Sequence, residues 1–539
     1  MIRVTIQEGG LWKKYSSEKI TAFYKGYFYS QKISAIIESI SSCDNENLNE
    51  LIQNIDGHFA IVISNENLTI AIVDKIRSTP IFFSQIDNVF HLDSNPNRLT
   101  SNNKFLNEVN EDAKLEISMA GFSIGDKTLY KNLYSLRAGE FAIFKDKSYK
   151  VYQYFKYFSD VLTSQINYQE TLSKITKNIF KKMLTDIGGR QIVIPLSAGN
   201  DSRLVASILR ELGYSNVICY SYGLQGNFEA KTAKLIAKKL GYKWIFIPLK
   251  YQNERSFYLS DEYEEYLKFS ETYSSVPYIQ SLSTIKYLKQ TNSINEDAVF
   301  INGNSGDFIS GLHLNYLLNN DFQNEDAYLR KEVILDSIFK KHFLLWGELA
   351  SNKNAKQIKK SLWSEIESQC GVLTDKKNDH IFYEYSEFID RQSKYVITGQ
   401  RAYEFYGYEW RMPLWDNEYL DFWVNVPASL KRNQSLYLDM LKKNNFAKVW
   451  GDDMPVNHKK ISPKWFIPLR FILKIPFVFL GKKGKPLWHE FEIIFLYYWM
   501  DNTRMMSSIS YWRVIKSIWK KPQNHVSWQA KDYINNHIK

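Results

Sequence analysis

The spacing of hydrophobic positions changes near residue 168. Before it, short apolar runs separated by turn residues predict β-strands at 58–64, 68–73, 81–83 and 139–144. After it, compact apolar runs alternate with amphipathic stretches of helical period, which predicts a parallel sheet covered by helices. The predicted strands are 191–196, 217–222, 244–248 and 298–302, the predicted helices are 202–213 and 228–240, and 325–407 is predicted to be largely helical.

The last part of the chain has a third pattern. From about residue 465 it runs WFIPLRFILKIPFVFLGKKGK, which is apolar, aromatic and basic. Arg470, Lys474, Pro468 and Pro476 interrupt this run, so it is too short and too broken to predict a membrane-spanning helix. The favoured prediction is a buried helical subdomain, and the alternative is a surface that touches an anionic membrane.

Length and charge narrow the class of protein only partly. A chain of 539 residues exceeds one ordinary core and predicts two or three domains. The net charge of +11 is compatible with nucleotides, acidic sugars or an anionic membrane as partners. Lysines are spread along the chain and no zinc-finger or RNA-recognition pattern occurs, so nucleic acid is not predicted. The oligomeric state stays open.

Cysteine usage and the first residues bear on location. Cys43, Cys219 and Cys370 are far apart and match no metal-binding spacing, which fits a reducing compartment. The opening MIRVTIQEGGLWKK has no basic region followed by an apolar core, so no signal peptide is expected. We expect a cytoplasmic protein, with peripheral contact at the inner face of the membrane as the alternative.

The stretch PLSAGNDSR places small and acidic residues between a predicted strand and a predicted helix. A tight turn at Gly199 can aim backbone N–H groups ahead of the helix, whose N-terminus is partially positive, and this suits a phosphate or pyrophosphate. Asp201 fits such a site if it holds a magnesium ion that bridges to the phosphates. The alternative is that Asp201 or Ser202 merely caps the helix. Neither a Walker A motif nor GxGxxG is present.

A second stretch, INGNSGDFISG at 301–311, repeats the arrangement of strand, glycines and aspartate. Parallel strands bind ligands at their carboxyl ends, so Asp201 and Asp307 are predicted to lie at one sheet edge. Two aspartates and a triphosphate form a suitable set of oxygen ligands for one magnesium ion.

The order of these motifs resembles the asparagine synthetase and N-type ATP pyrophosphatase group. SAGNDS resembles its SGGxDS loop, GNSGD resembles GEGSDE, EWRMPLWD (409–416) resembles ExRxPFLD, and HKKISP (458–463) resembles its lysine-containing loop. In the N-terminal region, GHFAIVI (57–63), DKIRSTPIFF (74–83) and GDKTLYKNLYSLRAGE (125–140) are similar to the family's amidotransferase-like domain. The resemblance covers about residues 1 to 465.

The resemblance implies a fold and domain boundaries. Residues 1–155 would form a degenerate glutamine amidotransferase-like domain, an α+β, Ntn-type β-sandwich. Residues 165–465 would form an asparagine synthetase-like ATP-binding domain, an α/β parallel-sheet PP-loop fold of the adenine nucleotide alpha hydrolase type with helical additions. Residues 466–539 would form a basic, aromatic helical extension.

The resemblance also implies residue roles. Asp201 and Asp307 would hold Mg²⁺. Lys460, with Lys459 as the alternative, would stabilise charge growing on the phosphates of ATP. The implied reaction activates a carboxylate as an acyl-adenylate, releases pyrophosphate and ends with attack by an amine. The implied nucleotide-binding residues are Leu196, Ser197, Ala198, Gly199, Asn200, Asp201, Ser202, Tyr222, Gly223 and Gly303.

Several residues depart from the family pattern. Ile2 stands where glutamine-using members expose a nucleophilic cysteine, so no glutamine hydrolysis is expected. Asn304, which belongs to the predicted catalytic residues, stands where the family motif GEGSDE has a glutamate. Phe308 stands where the family has an acidic residue after the aspartate. Residues 272–285 contain no arginine to pair with the carboxylates of aspartate.

Four functions remain open from the sequence. The favoured one is an ATP-dependent ligase that joins a small-molecule carboxylate, such as a uronic acid of bacterial surface polysaccharide, to ammonia or an amine. The second is asparagine synthase. The third is a degenerate, non-enzymatic binding protein, which the retention of Asp201, Asp307 and a lysine at 459–460 disfavours. The fourth, modification of transfer RNA, is disfavoured by the amidotransferase-like N-terminus.

Overall fold

The first part of the chain forms two β-sheets packed face to face. In this computed structural model the described residues are 2–29, 31–101, 108–159, 166–318, 326–451, 453–454 and 466–538. The strands in the described part of the chain are β1 (Ile2–Val4), β2 (Lys13–Ser16), β3 (Thr21–Phe28), β4 (Gly57–Ser64), β5 (Leu68–Val73), β6 (Phe82–Ile86), β7 (Val89–Asp93), β8 (Tyr134–Ser135), β9 (Glu140–Lys145), β10 (Ser148–Gln153), β11 (Ile192–Pro195), β12 (Val217–Gly223), β13 (Lys243–Pro248), β14 (Val299–Ile301) and β15 (Glu409–Arg411). One of the two sheets has the order β1-β7-β6-β8 and the other has the order β10-β9-β5-β4-β3-β2.

Burial on both faces explains the unbroken apolar runs of the central strands. Successive side chains of a strand point to opposite faces. Val62 packs between the two sheets with Phe83 and Phe144. Ile61 and Ile63 belong to the core that also contains buried side chains of the helices at 33–42 and 45–53. The N-terminal region is therefore layered as helices, sheet and sheet, which confirms the predicted sandwich.

The second part contains a five-stranded parallel sheet with the order β13-β12-β11-β14-β15. Every neighbouring pair in it is parallel. The predicted strands of this sheet lie within one residue of the observed ones at each end. The predicted helix 202–213 differs more, because the observed helix is Asn200–Glu211 and so begins directly after Gly199. Asp201 and Ser202 therefore lie in its first turn.

Helices cover this sheet and make up most of the remaining described chain. Two π-helical stretches, Glu387–Val396 and Glu492–Leu496, follow the α-helices that end at Ser386 and Phe491. The α-helices are α1 (Ile33–Ser42), α2 (Asn45–Gln53), α3 (Pro96–Thr100), α4 (Glu111–Ala120), α5 (Tyr168–Ile187), α6 (Asn200–Glu211), α7 (Phe228–Leu240), α8 (Tyr251–Phe257), α9 (Asp261–Phe269), α10 (Leu282–Gln290), α11 (Gly306–Ile309), α12 (Asn315–Leu318), α13 (Ala327–His342), α14 (Asn352–Cys370), α15 (Asp379–Ser386), α16 (Arg401–Phe405), α17 (Asn417–Trp423), α18 (Ala428–Lys431), α19 (Ser435–Asn444), α20 (Phe466–Phe479), α21 (Gly484–Phe491), α22 (Tyr497–Met500), α23 (Tyr511–Lys516) and α24 (His525–His537).

The two sheet regions meet across buried polar contacts. Lys25 of β3 pairs with Glu404 of α16 at 2.6 Å, and both side chains are buried. His58 of β4 is 3.0 Å, through Nε2, from the carbonyl oxygen of Trp415. Burial lowers the pKa of Lys25 to about 8 although Glu404 opposes that shift. The N-terminal region is thus fastened to the parallel-sheet region by groups that have lost contact with water.

The C-terminal extension is helical as predicted, but the favoured prediction of burial is wrong for α20. Its inner side chains, such as Leu473 and Phe477, pack on a small core around Trp488. Phe471 and Phe479 on the outside are 72% and 85% exposed, because no other described element covers that side. Among the described residues, no helix is long and apolar enough to cross a membrane. The boundaries at 155, 165 and 465 stay predictions.

Candidate active site

Two loops meet at the carboxyl edge of the parallel sheet. β11 and β14 lie side by side in the sheet. β12 and β13 extend the sheet on the β11 side, and β15 extends it on the β14 side. Residues of the loops after β11 and β14 line a cavity of about 360 Å³, which is within the range of small-molecule sites. A crevice at the point where the strand order reverses is where open parallel sheets bind ligands.

The loop after β11 is held together by its own hydroxyl groups. The Ser197 N–H donates to Ser202 Oγ at 3.0 Å, and the Gly199 N–H donates to Ser197 Oγ at 3.1 Å. Gly199 precedes α6, and no side chain caps the first turn, so the alternative that Asp201 or Ser202 serves as the cap is wrong. The first N–H groups of α6 are left for a ligand in the cavity, at the partially positive end of the helix.

Two glycines allow the loop after β14 to approach α6. A Cβ at Gly303 would lie 2.6 Å from the carbonyl carbon of Asp201, and a Cβ at Gly306 would lie 2.4 Å from its carboxyl carbon. Any larger residue would push the loops apart. At this separation the backbone N–H of Asp307 donates to the Asp201 carboxylate. The structure therefore brings Asp201 and Asp307 to one place.

The two carboxylates differ in protonation. Burial, together with the negative charge of Asp307, raises the pKa of Asp201 to about 7, although Tyr437 donates a hydrogen bond to it at 3.0 Å. Burial acts in the same direction on Asp307, but the hydrogen bond and charge of His313 overcome it, and the pKa of Asp307 is lowered. Near neutral pH, Asp307 is ionised and Asp201 is close to half protonated.

His313 connects Asp307 to a buried charge cluster. Its Nε2 is 3.1 Å from Asp307 Oδ2, and its Nδ1 contacts Glu387. Glu387 also pairs with Lys341 at 2.9 Å. These carboxylates hold the pKa of His313 above its ordinary value although burial opposes that shift. His313 is therefore a cationic partner that keeps Asp307 in its charged form.

The aspartates fit a magnesium ion only as part of a larger ligand set. No group of three or more His, Cys, Asp or Glu side chains in the described part of the chain is placed to hold a metal. Mg²⁺ commonly uses one or two carboxylates and takes its remaining oxygens from water and substrate phosphates. Asp201 and Asp307 beside an uncapped helix N-terminus match that pattern.

The other end of the cavity is aromatic and hydroxylic. The Tyr222 hydroxyl accepts hydrogen bonds from Gln280 Nε2 at 2.8 Å and from Ser281 Oγ at 3.0 Å. Tyr278 and Tyr403 also line this cavity. Planar apolar faces with a few fixed hydrogen-bonding groups are suited to a nucleoside.

A loop of the C-terminal extension completes the cavity wall. Asn502 and Thr503 line it, and Asn502 Oδ1 accepts a hydrogen bond from the Leu224 N–H at 2.9 Å. Gly223 has a φ of +124°, and a Cβ there would lie 2.4 Å from Asn502 Oδ1. Glycine is thus required where the extension closes on the end of β12. The extension is part of the site as well as a neighbour of it.

The structure brings most of the sequence-predicted residues to one cavity. Ala198 is buried away from it, and its carbonyl oxygen accepts a hydrogen bond from Arg203. Gly223 lies behind Asn502, and Asp307 lies beside Asp201. Lys459 and Lys460 fall outside the described residues. The predicted residues that line the cavity are Leu196, Ser197, Gly199, Asn200, Asp201, Ser202, Tyr222, Gly303 and Asn304.

Sequence reasoning missed three residues at the site, Tyr437, His313 and Asn502. Tyr437 and His313 contact the aspartates from α19 and from the turn before α12, and neither position belongs to a motif. Asn502 belongs to the C-terminal extension, which lies outside the motifs of the family pattern.

Two family models match the chain, on either side of the region where the hydrophobic period changes. Residues 36–155 match the model described as glutamine amidotransferase domain, and residues 180–444 match the model described as asparagine synthase. The chain belongs to the asparagine synthetase family. The five-stranded parallel sheet lies within the segment that matches the asparagine synthase model.

Solved structures add only distant likenesses. One is described as the allosteric regulatory enzyme of purine biosynthesis, with 9% identity, a TM-score of 0.18 and coverage of 43% of this chain and 61% of that one. Another is glutamine phosphoribosylpyrophosphate amidotransferase from B. subtilis complexed with ADP and GMP, with 9% identity, a TM-score of 0.18 and coverage of 55% and 64%. The chain spans less than two thirds of the length of either enzyme. None of the curated proteins matches the chain.

Compared with the asparagine synthetase family pattern, the two ends of the site have diverged unequally. Phe308, which replaces an acidic residue, stacks on Trp415 with ring centroids 5.8 Å apart and is buried away from the cavity. Residues 272–285 lack the expected arginine, but Arg391, 30% exposed, lies 3.7 Å from Glu387 in the cluster next to Asp307. The loop between β11 and α6 thus keeps most residues of the family pattern, whereas residues around Asp307 depart from it.

Proposed function

We propose that the protein activates a small-molecule carboxylate with ATP, releases pyrophosphate and passes the acyl group to ammonia or an amine. The observation that carries this proposal is the pair Asp201 and Asp307 at the uncapped N-terminus of α6, in a cavity whose other end is lined by Tyr222 and Tyr403. This arrangement provides for a polyphosphate at one end and a nucleoside at the other.

The residues divide the work of holding ATP. The first-turn N–H groups of α6 and the hydroxyls of Ser197 and Ser202 bind phosphate oxygens. Asp201 and Asp307 would hold Mg²⁺, which supplies positive charge to the β- and γ-phosphates. The nucleoside lies against Leu196, Tyr222 and Gly303.

The reaction balances in two steps. A carboxylate oxygen of the substrate attacks the α-phosphorus of ATP, the bond to the bridging oxygen breaks, and pyrophosphate leaves. The amine nitrogen then attacks the acyl carbon, AMP leaves with the bonding electrons, and the nitrogen loses a proton. We assign Lys460, with Lys459 as the alternative, to the charge that grows on the phosphates. In support, the Arg203 guanidinium donates a hydrogen bond to the carbonyl oxygen of Met454, which lies six residues before Lys460. It also donates to the carbonyl oxygen of Ala198 in the loop after β11.

We further propose that the acyl substrate is an acidic sugar, such as a uronic acid of a bacterial surface polysaccharide. The net charge of +11 favours anionic substrates. Asn304 offers amide hydrogen bonds where the family has a glutamate, which suits hydroxyl groups. Arg391 is a cation close enough to Asp307 to lower the pKa of that carboxylate, and it supplies charge for an anionic substrate.

The nitrogen donor is proposed to be free ammonia or an amine. Ile2 pairs with Phe90 in β1 and β7, and its side chain offers neither a nucleophile nor a base. Cys43 follows α1, and its thiol donates to the carbonyl oxygen of Asp44. We therefore assign no glutamine hydrolysis to the N-terminal region.

Product analysis tests the proposed chemistry. The purified full chain is incubated with ATP, magnesium, an ammonium salt and each of a panel of uronic acids, and nucleotides are separated by anion exchange. We expect AMP and pyrophosphate with at least one uronic acid, and glutamine should not replace ammonium. Formation of ADP would contradict adenylation.

Asparagine synthase remains the second candidate, because the family model that matches 180–444 is described by that activity. Aspartate is therefore included in the same panel. Activation of aspartate alone would overturn the uronic acid assignment while leaving adenylation intact.

A further inference from the structure

Helix α20 carries apolar side chains on its outer side as well as its inner side. Ile467, Phe471, Ile475 and Val478 follow helical spacing, so they lie along one stripe. Soluble proteins seldom leave a contiguous apolar surface of this kind in water. The exposed apolar residues of α20 and the residue after it are Ile467, Leu469, Phe471, Ile472, Ile475, Val478, Phe479 and Leu480. We call this set the α20 surface.

Positive charge surrounds the α20 surface. Lys474 is exposed on the helix, Lys482 and Lys483 are exposed in the turn that follows, and Lys485 is exposed in the first turn of α21. Residues 466–485 contain no Asp or Glu. Arg470 turns inward and pairs with Glu492 at 2.5 Å. The surface therefore combines an apolar stripe with lysines that form no ion pair with any acidic side chain in the described part of the chain.

We propose that the α20 surface docks on an anionic lipid bilayer, with the helix lying along the plane of the membrane. With 14 residues at about 1.5 Å each, α20 is about 21 Å long and cannot cross a hydrocarbon core of about 30 Å. An apolar face that enters the headgroup boundary beside lysines that meet anionic lipid is the pattern of an interfacial helix. Lysines are depleted from protein–protein interface cores, so a bilayer fits this surface better than a protein partner does.

The docking unit adjoins the nucleotide cavity. Met500 packs against the small core that supports α20, and Asn502, two residues further on, lines the cavity. Docking therefore holds the site close to the lipid headgroups, whatever acyl substrate the enzyme uses.

Vesicle flotation of the full chain tests the proposal. Vesicles of phosphatidylcholine alone are compared with vesicles that also contain phosphatidylglycerol, at low and high salt. We expect the protein to float with the anionic vesicles and to be released in part by salt, since exposed charges are screened. Absence of flotation with anionic vesicles at low salt would overturn the proposal.

Matched variants assign the binding to the α20 surface. Phe471→Ser with Phe479→Ser should weaken flotation about tenfold or more, because each ring inserts into the headgroup boundary. Lys482→Glu with Lys483→Glu should weaken it by a similar factor, because each lysine near an anionic surface contributes attraction. The control is Leu259→Ser, a leucine 68% exposed elsewhere, which should float as the parent does.

Two outcomes would contradict the assignment. Flotation of the Phe471→Ser, Phe479→Ser variant equal to that of the parent would place the binding elsewhere. Loss of a concentration-dependent dimer in that variant, measured by analytical ultracentrifugation without vesicles, would identify the surface as a contact between copies. Circular dichroism spectra that match the parent show that each variant is folded.

Discussion

The loops after β11 and β14 place the same residue type at the same sheet edge, yet they give it opposite properties. Burial and a neighbouring charge raise the pKa of Asp201 to about 7. Asp307 lies beside His313, remains 46% exposed and has a lowered pKa. The difference shows that each loop specifies the position of a carboxylate, whereas burial and neighbouring charges specify its protonation state.

Because their pKa values are shifted in opposite directions, the two aspartates are expected to differ in charge before ATP binds. Asp307 is a permanent anion, held by a histidine that other carboxylates keep charged. Asp201 is an anion only when a cation or higher pH removes its proton, since metal ligands must be deprotonated. Cation binding is therefore expected to release a proton from Asp201.

The largest expected effect is the loss of either carboxylate. Asp201→Asn and Asp307→Asn should each abolish magnesium-dependent turnover, because each removes one of two protein ligands. Turnover is measured as pyrophosphate release, and thermal unfolding serves as the control for folding. A variant with the parent's turnover would remove that residue from the metal site.

The next largest effect concerns the lysine loop. Lys460→Ala should slow the chemical step by a factor of about 100 or more, as for removal of one preorganised charge contact, while ATP binding changes less. Single-turnover rates and nucleotide titrations separate the two. If Lys459→Ala shows the loss instead, the roles of the two lysines are exchanged.

Removal of the histidine charge should make the two aspartates more alike. His313→Gln keeps a hydrogen-bond donor but removes a cation that lowers the pKa of both Asp307 and Asp201. Both pKa values should therefore rise, and the acid limb of the pH–rate profile should move to higher pH. We expect about a tenfold loss at pH near 6.5 and a smaller one at pH near 8.5. His537→Gln is the matched control, since the pKa of His537 is also raised, by Glu271, and it does not line the cavity. A profile of His313→Gln that overlays the parent's would contradict this role.

A smaller effect is expected at the nucleoside end, which neither aspartate touches. Asn502→Ala removes the acceptor for the Leu224 N–H and should raise KM for ATP about threefold to tenfold with little change in kcat. Asn216→Ala is the control, because Asn216 is an exposed amide that donates to the carbonyl oxygen of Gly189 at 3.1 Å and does not line the cavity. An unchanged KM would show that the extension closes the cavity without contacting ATP.

The smallest effect is on stability without metal. The folded pKa of Asp201 is above the usual unfolded value, so its contribution to stability is complete at low pH and is lost as the pH rises through about 7. Asp201→Asn should therefore raise Tm in EDTA at pH 8, by about 2 °C or more, and change it less at pH 5. Calorimetry at both pH values measures this, and a larger gain at pH 5 would reverse the assigned sign.

The sequence predicted what is local in this site. Gly199, Asp201, Gly303 and Asp307 follow buried strands, and parallel strands end at one edge, so their meeting could be inferred from order alone. The structure corrected the start of α6 and the burial of α20. Tyr437 and Asn502 could not be predicted, because tertiary packing brings them to the site from distant parts of the chain. His313 lies only six residues after Asp307 but belongs to no recognised motif.

The buried pair Lys25 and Glu404 has a consequence for how the protein can evolve. Loss of the Lys25 ammonium alone would leave Glu404 buried with Arg401 as its cationic partner among the described residues, and breaking a buried pair costs about 3–5 kcal/mol. That is a large fraction of the stability of an ordinary domain. The two regions should therefore unfold in a single transition. A region to which we assign no glutamine hydrolysis would then be retained because its contacts stabilise the parallel-sheet region.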